Sequence, residues 1–263
     1  MKPIFLTPWD IVIAASLILL DAGASIVFRL ALHRQIVIAA IRCTVQLLLV
    51  GFILKTVFAI DTPALTLLVI LVMVTIAGRE VAARPERRLV RYGNQIAGLS
   101  AVALATVVTA GIALLTAIRP HPWYEARYAI PLAGIMLGNA LNAGSLSLDA
   151  LLSGVLRERA AIEAQLALGA NFREAVAPLV RAAVRRGVLP TINVMSAAGV
   201  VTLPGIMTGQ ILAGFSPVEA VKYQIMLMFL LAGATGIAAF GAAAFAARRL
   251  TDGRDRLRVD RLV

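Results

Sequence analysis

Seven stretches of apolar residues, separated by short polar segments, constrain this chain more than any other feature of its sequence. A helix needs about 20 mostly apolar residues to cross a bilayer; the third stretch is short and the sixth is interrupted. Their bounds are 9–30, 36–58, 63–77, 96–118, 130–152, 187–214 and 221–247. Because 60% of the residues are hydrophobic and the mean hydropathy is +0.89, an ordinary soluble domain is excluded. We predict an all-α polytopic membrane protein with about seven transmembrane helices.

The length of the chain limits what else it can contain. Seven spans leave little room in 263 residues for a separate soluble domain, so we expect residues 1–263 to form one transmembrane domain. The first stretch resembles the apolar region of a signal peptide. Two prolines and an aspartate around its start, and the arginines that follow it, favour a retained span instead.

The basic residues predict the orientation, because Lys and Arg concentrate in short cytoplasmic loops. With the N-terminus outside, most of the 25 basic residues fall on the inner side, in the regions 29–42, 79–91, 157–186 and 248–261. We therefore place the N-terminus outside, the C-terminus inside, and a basic cytoplasmic tail at 248–263. The formal net charge of +11 is spread over separate loops of one membrane face, which favours anionic lipid over nucleic acid as a partner.

Several ionisable and amide side chains lie inside the apolar stretches. Such residues normally face a bundle interior or a water-filled cavity. The spacing of Asn139 and Asn142 places both amides on one helix face. Each residue either contacts substrate in a translocation path or bonds a neighbouring helix, as Asp21 would with Arg42, and both interpretations stay open. The set comprises Asp21, Gln46, Asn139, Asn142, Asn193 and Gln210.

Pro204 and Gly205 interrupt the sixth stretch within TLPGIMTGQILAGFSP. A proline inside a helix removes one hydrogen bond and frees a carbonyl group. Freed backbone at membrane depth must be buried in protein or line a wet cavity. We predict a broken sixth span that acts as a gate beside a polar path, together with Thr202, Met207 and Gln210. A simple kink in a packed helix is the alternative.

Two pairs of glycines lie four residues apart, Gly134 with Gly138 and Gly205 with Gly209. This spacing lets helix backbones approach each other closely in a membrane. Close packing inside one subunit and contact between two subunits are both consistent with the pairs.

The loop between the fifth and sixth stretches, at about 153–187, is the longest in the chain. Gly169 separates an amphipathic segment from a second one, which opens with the capping-box spacing of Asn171 and Glu174. We predict two short amphipathic helices that either rest on lipid or dock a soluble partner. The second has arginines opposite an apolar stripe of Phe172, Val176, Leu179, Val180 and Val184.

The segment EAQLALGA resembles the EAA-type loop of ABC transporter permeases, with Glu163 six positions before Gly169. Three further segments strengthen the likeness: RCTVQLLLVGFILKTVF, GNALNAGSLSLD and LPTINVMSAAGVVTLPGIMTGQILAGFSPVEAVKYQIMLMFLL. Together they resemble the FetB-type iron-export ABC transporter permeases, a family related to plant aluminium-tolerance proteins. The similarity extends from about Arg29 to the C-terminal tail.

This resemblance implies a multi-pass permease of the bacterial cytoplasmic membrane that exports iron or another metal. It also implies a separate ATPase subunit, with two copies of each chain. ATP and Mg would bind that partner, since the sequence lacks G-x-x-x-x-G-K-[ST], and this chain would be neither an enzyme nor a cofactor carrier. The residues that match the coupling loop are Glu163, Leu166, Gly169, Ala170, Phe172 and Arg173.

The metal-binding residues of such an exporter stay unknown from the sequence. His33 and His121 fall at opposite membrane faces, and Cys43 is the single cysteine, so no Cys/His cluster is present. An ion-gradient-driven carrier or channel without an ATPase is the alternative function, with Asp21 available for proton coupling. A membrane-embedded enzyme is disfavoured because neither HExxH nor GxSxG occurs.

Overall fold

The structure is a computed structural model that describes residues 7–262. The all-α prediction is confirmed, because every regular element of that range is helical. The nine α-helices are α1 (Pro8–Val27), α2 (His33–Ile60), α3 (Pro63–Ala83), α4 (Gly93–Ile112), α5 (Ala126–Arg157), α6 (Arg159–Ala167), α7 (Phe172–Ala197), α8 (Gly205–Leu212) and α9 (Pro217–Arg249). A π-helical turn, Ala113–Ile118, extends α4, and a 3₁₀ turn, Val259–Arg261, lies near the C-terminus.

Six of the described helices, α1 to α5 and α9, are long and apolar enough to cross a membrane. The stretch predicted as the sixth span, 187–214, is not one helix. It contains the end of α7, a non-helical segment at 198–204, and the short α8. The third stretch, predicted to end at residue 77, corresponds to α3, which continues to Ala83. Its last part, which includes Arg79 and Glu80, is also helical. A count of seven spans, like the orientation, stays a prediction.

α1 and α2 form one compact unit, and residues 62–262 form another. Within the first unit, the turn between the two helices is fixed by the buried Ser25, whose Oγ accepts the N–H of Leu32 at 2.9 Å. α2 ends at Ile60, because the next residue, Asp61, has a left-handed φ of 43°. The expectation of a single domain over 1–263 stays a prediction.

α5 is the central helix of the second unit and packs against α3, α4, α7 and α9. Where it crosses α7 and α9 the contacting residues are small, which lets the helix axes approach. Ser147 on α5 donates its hydroxyl hydrogen to the carbonyl oxygen of Ala239 on α9 at 2.9 Å. At Gly187 an added Cβ would lie 2.7 Å from the carbonyl oxygen of Ala143 and 3.0 Å from the Cβ of Ala239. Only glycine therefore fits where α5, α7 and α9 cross.

The two glycine pairs differ in their surroundings. A Cβ built on Gly134 would meet the Cε of Met73 at 3.2 Å, whereas one built on Gly138, Gly205 or Gly209 would meet no described atom within 4 Å. Close packing inside the subunit is thus seen at Gly134. The pair on α8 faces open space.

α7 departs most from the sequence-based expectation. A short helix within the loop at about 153–187 was predicted, separate from the stretch at 187–214, but α7 runs unbroken for 26 residues through Pro178 and Pro190. The larger cluster of buried side chains in this unit is here called the main core. The apolar stripe from Phe172 to Val184 packs into it, so this stripe does not rest on lipid. Packing against α5 and α9 supports the helix through both prolines, although each proline removes a hydrogen bond.

The predicted basic tail is folded rather than loosely extended along the surface. Arg248 and Arg249 belong to the last turn of α9, and residues 250–262, here called the tail, turn back onto the unit. Leu250 is fully buried, and Leu257 and Leu262 pack against the main core. These leucines anchor the tail. The sequence does not mark them as core residues, because many arginines surround them.

Candidate coupling turn and membrane cavity

The turn between α6 and α7, residues 168–171, begins with a Schellman motif. The N–H of Ala170 donates to the carbonyl oxygen of Gln165 at 3.1 Å, and the N–H of Gly169 donates to that of Leu166 at 3.1 Å. Gly169 has a φ of +95°, which glycine adopts without steric cost. The shape of this coupling turn is therefore fixed by the backbone.

α7 begins with the capping box that the sequence predicts. The N–H of Glu174 donates to Asn171 Oδ1 at 2.9 Å, and the N–H of Asn171 donates to Glu174 Oε2 at 3.1 Å. Phe172, the next residue, is only 2% exposed and is part of the main core. Hydrogen bonds and packing together hold the start of the helix.

The six predicted coupling residues do not form one outward surface. Phe172 is buried, and Leu166 and Ala170 are partly buried. Gly169, Arg173 and Glu163 are exposed, and Glu163 Oε1 pairs with Arg159 Nε at 2.7 Å. The turn thus has an inner side that anchors it and an outer side that a partner can reach.

Leu168 is the most exposed apolar side chain at this turn, at 88%, and the sequence analysis missed it. Residues two apart on a helix lie about 200° apart around its axis. Since Leu166 packs against the core, Leu168 must point away from it. The spacing from the inward-facing Leu166 is the signal that would have found it.

A cavity of about 210 Å³ lies between α5, α7 and α9, beside the crossing at Gly187. Its lining is mostly apolar, with Asn139, Asn142 and Thr191 as the polar side chains. The prediction that the two asparagines share one helix face is therefore confirmed. Gly187 holds the helices together at one end of the cavity, and Pro190 forms part of its wall.

The polar side chains of the cavity are partly bonded to protein. Asn139 Nδ2 donates to the carbonyl oxygen of Ile135 at 3.0 Å. Arg84 Nη1 donates to Asn142 Oδ1 at 2.7 Å, and the hydroxyl oxygens of Thr191 and Thr235 lie 3.0 Å apart. Asn142 therefore lines the cavity and also bonds a residue that follows α3, while its contact with a substrate stays a prediction.

The remaining predicted path residues do not line this cavity. Asp21 and Gln46 are exposed residues of the first unit. Asn193 is exposed on α7, and Gln210 on α8 has a buried Oε1 without a hydrogen-bond partner among the described residues. The others lie in the break or on α8, namely Thr202, Pro204, Gly205 and Met207.

The break between α7 and α8 is a tight backbone turn. Gly199, with a φ of +82°, donates its N–H to the carbonyl oxygen of Thr202 at 2.9 Å, and Thr202 donates its own to that of Ala197 at 3.2 Å. The carbonyl oxygen of Pro204 accepts the N–H of Thr208 at 3.0 Å and also its Oγ1 hydroxyl at 3.2 Å, which closes the first turn of α8. The helix ends at Ala197, seven residues before Pro204 itself.

Comparison with known proteins decides the family. Residues 8–251 match the model of the uncharacterised protein family UPF0014. The chain belongs to this family. The UPF0014 membrane protein slr1647 of Synechocystis sp. is 40% identical over 199 residues, which is 75% of each chain. No solved structure gives a significant match.

Two further relatives of this family member have names that describe a role. The probable iron export permease protein FetB of Escherichia coli is 32% identical over 234 residues, which cover 89% of this chain and 88% of the relative. The protein ALUMINUM SENSITIVE 3 of Arabidopsis thaliana is 32% identical over 208 residues, covering 79% and 74%. The resemblance seen in the sequence motifs is thereby confirmed.

The described part of this UPF0014 protein has no group of three or more His, Cys, Asp or Glu side chains that could hold a metal ion. The cavity lining includes the carboxamides of Asn139 and Asn142 and the hydroxyl of Thr191, and Asn142 Oδ1 already accepts from Arg84. Such oxygen atoms suit hard cations in proteins, usually together with carboxylates.

Proposed function

We propose that this protein is the membrane-spanning permease subunit of an ABC transporter that exports iron or another metal. A separate ATPase subunit would dock at the coupling turn, bind ATP and Mg, and drive transport. The name of the Escherichia coli relative, a probable iron export permease, supports the direction and the substrate class. This chain would then contribute the path and the attachment point, without its own cofactor.

The observation that carries this proposal is the continuity of α7. One helix of 26 residues, about 39 Å long at 1.5 Å per residue, extends from the coupling turn past the cavity. Its start is fixed by the capping box and Phe172, while Pro190, Thr191 and Val194 form one wall of the cavity. A displacement of the turn by an ATPase would therefore move the cavity wall.

The orientation of the chain follows from the same proposal. The coupling turn and the C-terminus would face the cytoplasm, where ATP is available, and the N-terminus would lie outside. The excess of arginine around the turn and the tail agrees with this placement in a bacterial inner membrane.

A second copy of the chain would cover the break. Val200, Val201 and Leu203 are 88%, 79% and 64% exposed, and Gly205 and Gly209 face open space. Small residues beside exposed apolar ones suit close contact between helices in a membrane. We place the homodimer contact at residues 198–212, with the break as a gate between the copies.

Reconstitution of the purified chain in liposomes, with and without its ATPase subunit, tests the proposal. We expect ATP-dependent movement of Fe²⁺ only when both subunits are present. An Asn139→Leu variant should slow transport while keeping ATPase binding, because the cavity would lose a polar side chain. Gln95→Leu, exposed near the start of α4 and outside the cavity lining, is the matched control and should leave transport unchanged.

Two results would contradict the proposal. Transport by the chain alone under a proton gradient would favour the carrier or channel instead. Failure of any ATPase to bind the purified chain, in detergent or in lipid, would remove the coupling turn from the mechanism.

A further inference from the structure

The tail contains a tightly held loop at residues 252–258. Asp252 accepts the backbone N–H groups of Arg254 at 3.0 Å and Arg256 at 3.1 Å through Oδ1. The hydrogen bond from the Arg256 N–H is the main reason that the pKa of Asp252 lies below its ordinary value. Arg258 donates its N–H to the carbonyl oxygen of the buried Leu250 at 2.8 Å. The loop therefore projects from a fixed base.

The far end of the tail is joined to the loop between α3 and α4. The N–H of Val90 donates to the carbonyl oxygen of Arg261 at 2.9 Å, and Leu89 forms an antiparallel bridge with Leu262. Arg261 Nη1 also donates to the carbonyl oxygens of Arg249 at 2.7 Å and Thr251 at 3.0 Å. These contacts hold the tail against the rest of the second unit.

Two grooves lie on either side of this loop. The tail groove, of about 490 Å³, runs between the coupling turn and the tail, with Glu163, Leu166 and Ala170 on one wall and residues 254–257 on the other. The α7–α9 groove, of about 740 Å³, runs between α7 and α9 and also reaches the tail. Asp255 lines both grooves, so they form one continuous surface with the coupling turn.

The walls of this surface are predominantly basic. Glu163 is paired with Arg159, which leaves Asp255 as the other acidic residue on the walls. The exposed basic residues on the walls are Arg173, Arg181, Arg248, Arg254 and Arg256. Accessible apolar side chains lie between them, including Val180, Phe240 and Ala244 in the α7–α9 groove. A complementary ligand would carry several carboxylates and an apolar side chain.

We infer that the tail is the second half of the docking surface, and that the two grooves receive an acidic segment of the ATPase subunit. This inference rests on the proposed function and extends it from the coupling turn to residues 250–262. Charge complementarity favours a protein segment, because the surface combines spaced arginines with shaped apolar grooves. The tail would then fix the register of the partner against the turn.

Binding of the purified ATPase subunit to the chain in nanodiscs tests this inference. The probe is the ATPase chain that copurifies with the wild-type protein and hydrolyses ATP. We expect Arg254→Glu to raise the Kd at least fivefold at low salt, and Arg173→Glu with Arg254→Glu at least twentyfold, with both losses shrinking at high salt. Arg127→Glu, exposed at the opposite end of α5, should leave the Kd unchanged.

Asp255→Asn supplies a change of opposite sign. Asparagine tolerates the left-handed φ of 53° at this position, so the loop should keep its shape while losing a negative charge. We expect the Kd to fall two- to threefold, which misfolding would not produce.

The results separate this inference from the proposed function. If Arg254→Glu and Asp255→Asn bind like the wild type while Leu168→Glu loses binding, the tail is not part of the docking surface and the proposed function stands. If the arginine variants change only the binding of anionic vesicles, the grooves serve lipid and the inference is wrong. If no ATPase binds even the wild type, both fall.

Discussion

The two ends of α7 contain similar residues and have opposite surroundings. At its start, Gly169 and Asn171 take part in the hydrogen bonds that close the turn, and Phe172 is buried in the core. At its end, Gly199 closes a comparable turn, but Val200 next to it is 88% exposed. Backbone hydrogen bonds close the turn at both ends, but the adjacent apolar side chain is buried only at the first. The second end therefore needs apolar surroundings that the described chain does not itself supply.

Pro190 and Pro204 illustrate the same contrast. Pro190 lies inside α7 between α5 and α9, where packing from both sides keeps the helix continuous. Pro204 follows a break that has no comparable packing, and the residue before a proline is disfavoured in a helical conformation. Tertiary support, more than the proline itself, decides whether the chain stays helical.

The largest expected effect comes from the crossing that holds α7 in place. We expect Gly187→Ala to lower the free energy of unfolding by about 3 kcal/mol, because its Cβ would lie 2.7 Å from the carbonyl oxygen of Ala143. Within a single subunit, Gly209→Ala on α8 meets no described atom within 4 Å and should be neutral or slightly stabilising. Unfolding in detergent measures both. Equal losses would abolish the contrast between the two ends.

Alanine at the two left-handed glycines separates strain from function. Gly169→Ala and Gly199→Ala should each cost roughly 1–2 kcal/mol of stability, since both have positive φ and open space around the added Cβ. Only Gly169→Ala should also weaken ATPase binding or uncouple hydrolysis from transport. Calorimetry together with a binding titration distinguishes the effects. A loss of ATPase binding in Gly199→Ala alone would reverse the assignment of the ends.

Removal of the helix cap should have a smaller effect. Asn171→Ala deletes the acceptor for the N–H of Glu174 and should cost about 1 kcal/mol, whereas Asn171→Ser retains an acceptor and should cost less. Hydrogen exchange of the first turn of α7 is the measurement. Identical exchange in both variants would mean that Phe172 alone holds this end.

The smallest effect concerns the ion pair in the tail. Arg258 donates two hydrogen bonds of 2.8 Å to Asp260 and lowers the pKa of that carboxyl to about 2 from 3.8. A lowered pKa in the folded protein means that the pair stabilises the tail above pH about 4 and loses this effect as the pH falls toward 2. Asp260→Asn should therefore loosen the tail slightly at neutral pH, with the difference from wild type vanishing in acid. The rate of limited proteolysis in the tail, measured against pH for the variant and the wild type, tests this. A difference in rate that does not depend on pH would exclude the pair as the cause.

Local rules predicted the start of α7 well. The capping box at Asn171 depends on residues close in sequence and is confirmed. The apolar stripe from Phe172 was predicted as well, but not its packing into the core. The shared face of Asn139 and Asn142 follows equally from helix periodicity. The unbroken course through Pro190 and the anchoring of the tail by Leu250 depend on distant packing partners, which periodicity does not reveal.

The central claim is that the turn before α7 contacts the ATPase subunit. A photo-crosslinking residue placed at Leu168, before α7, or at Val200, after it, tests this most directly, since both side chains are 88% exposed. With the ATPase subunit present, position 168 should give an adduct with that subunit and position 200 should not, giving an adduct with a second copy of the chain instead. An ATPase adduct from position 200, or none from position 168, would contradict the assignment of the coupling turn.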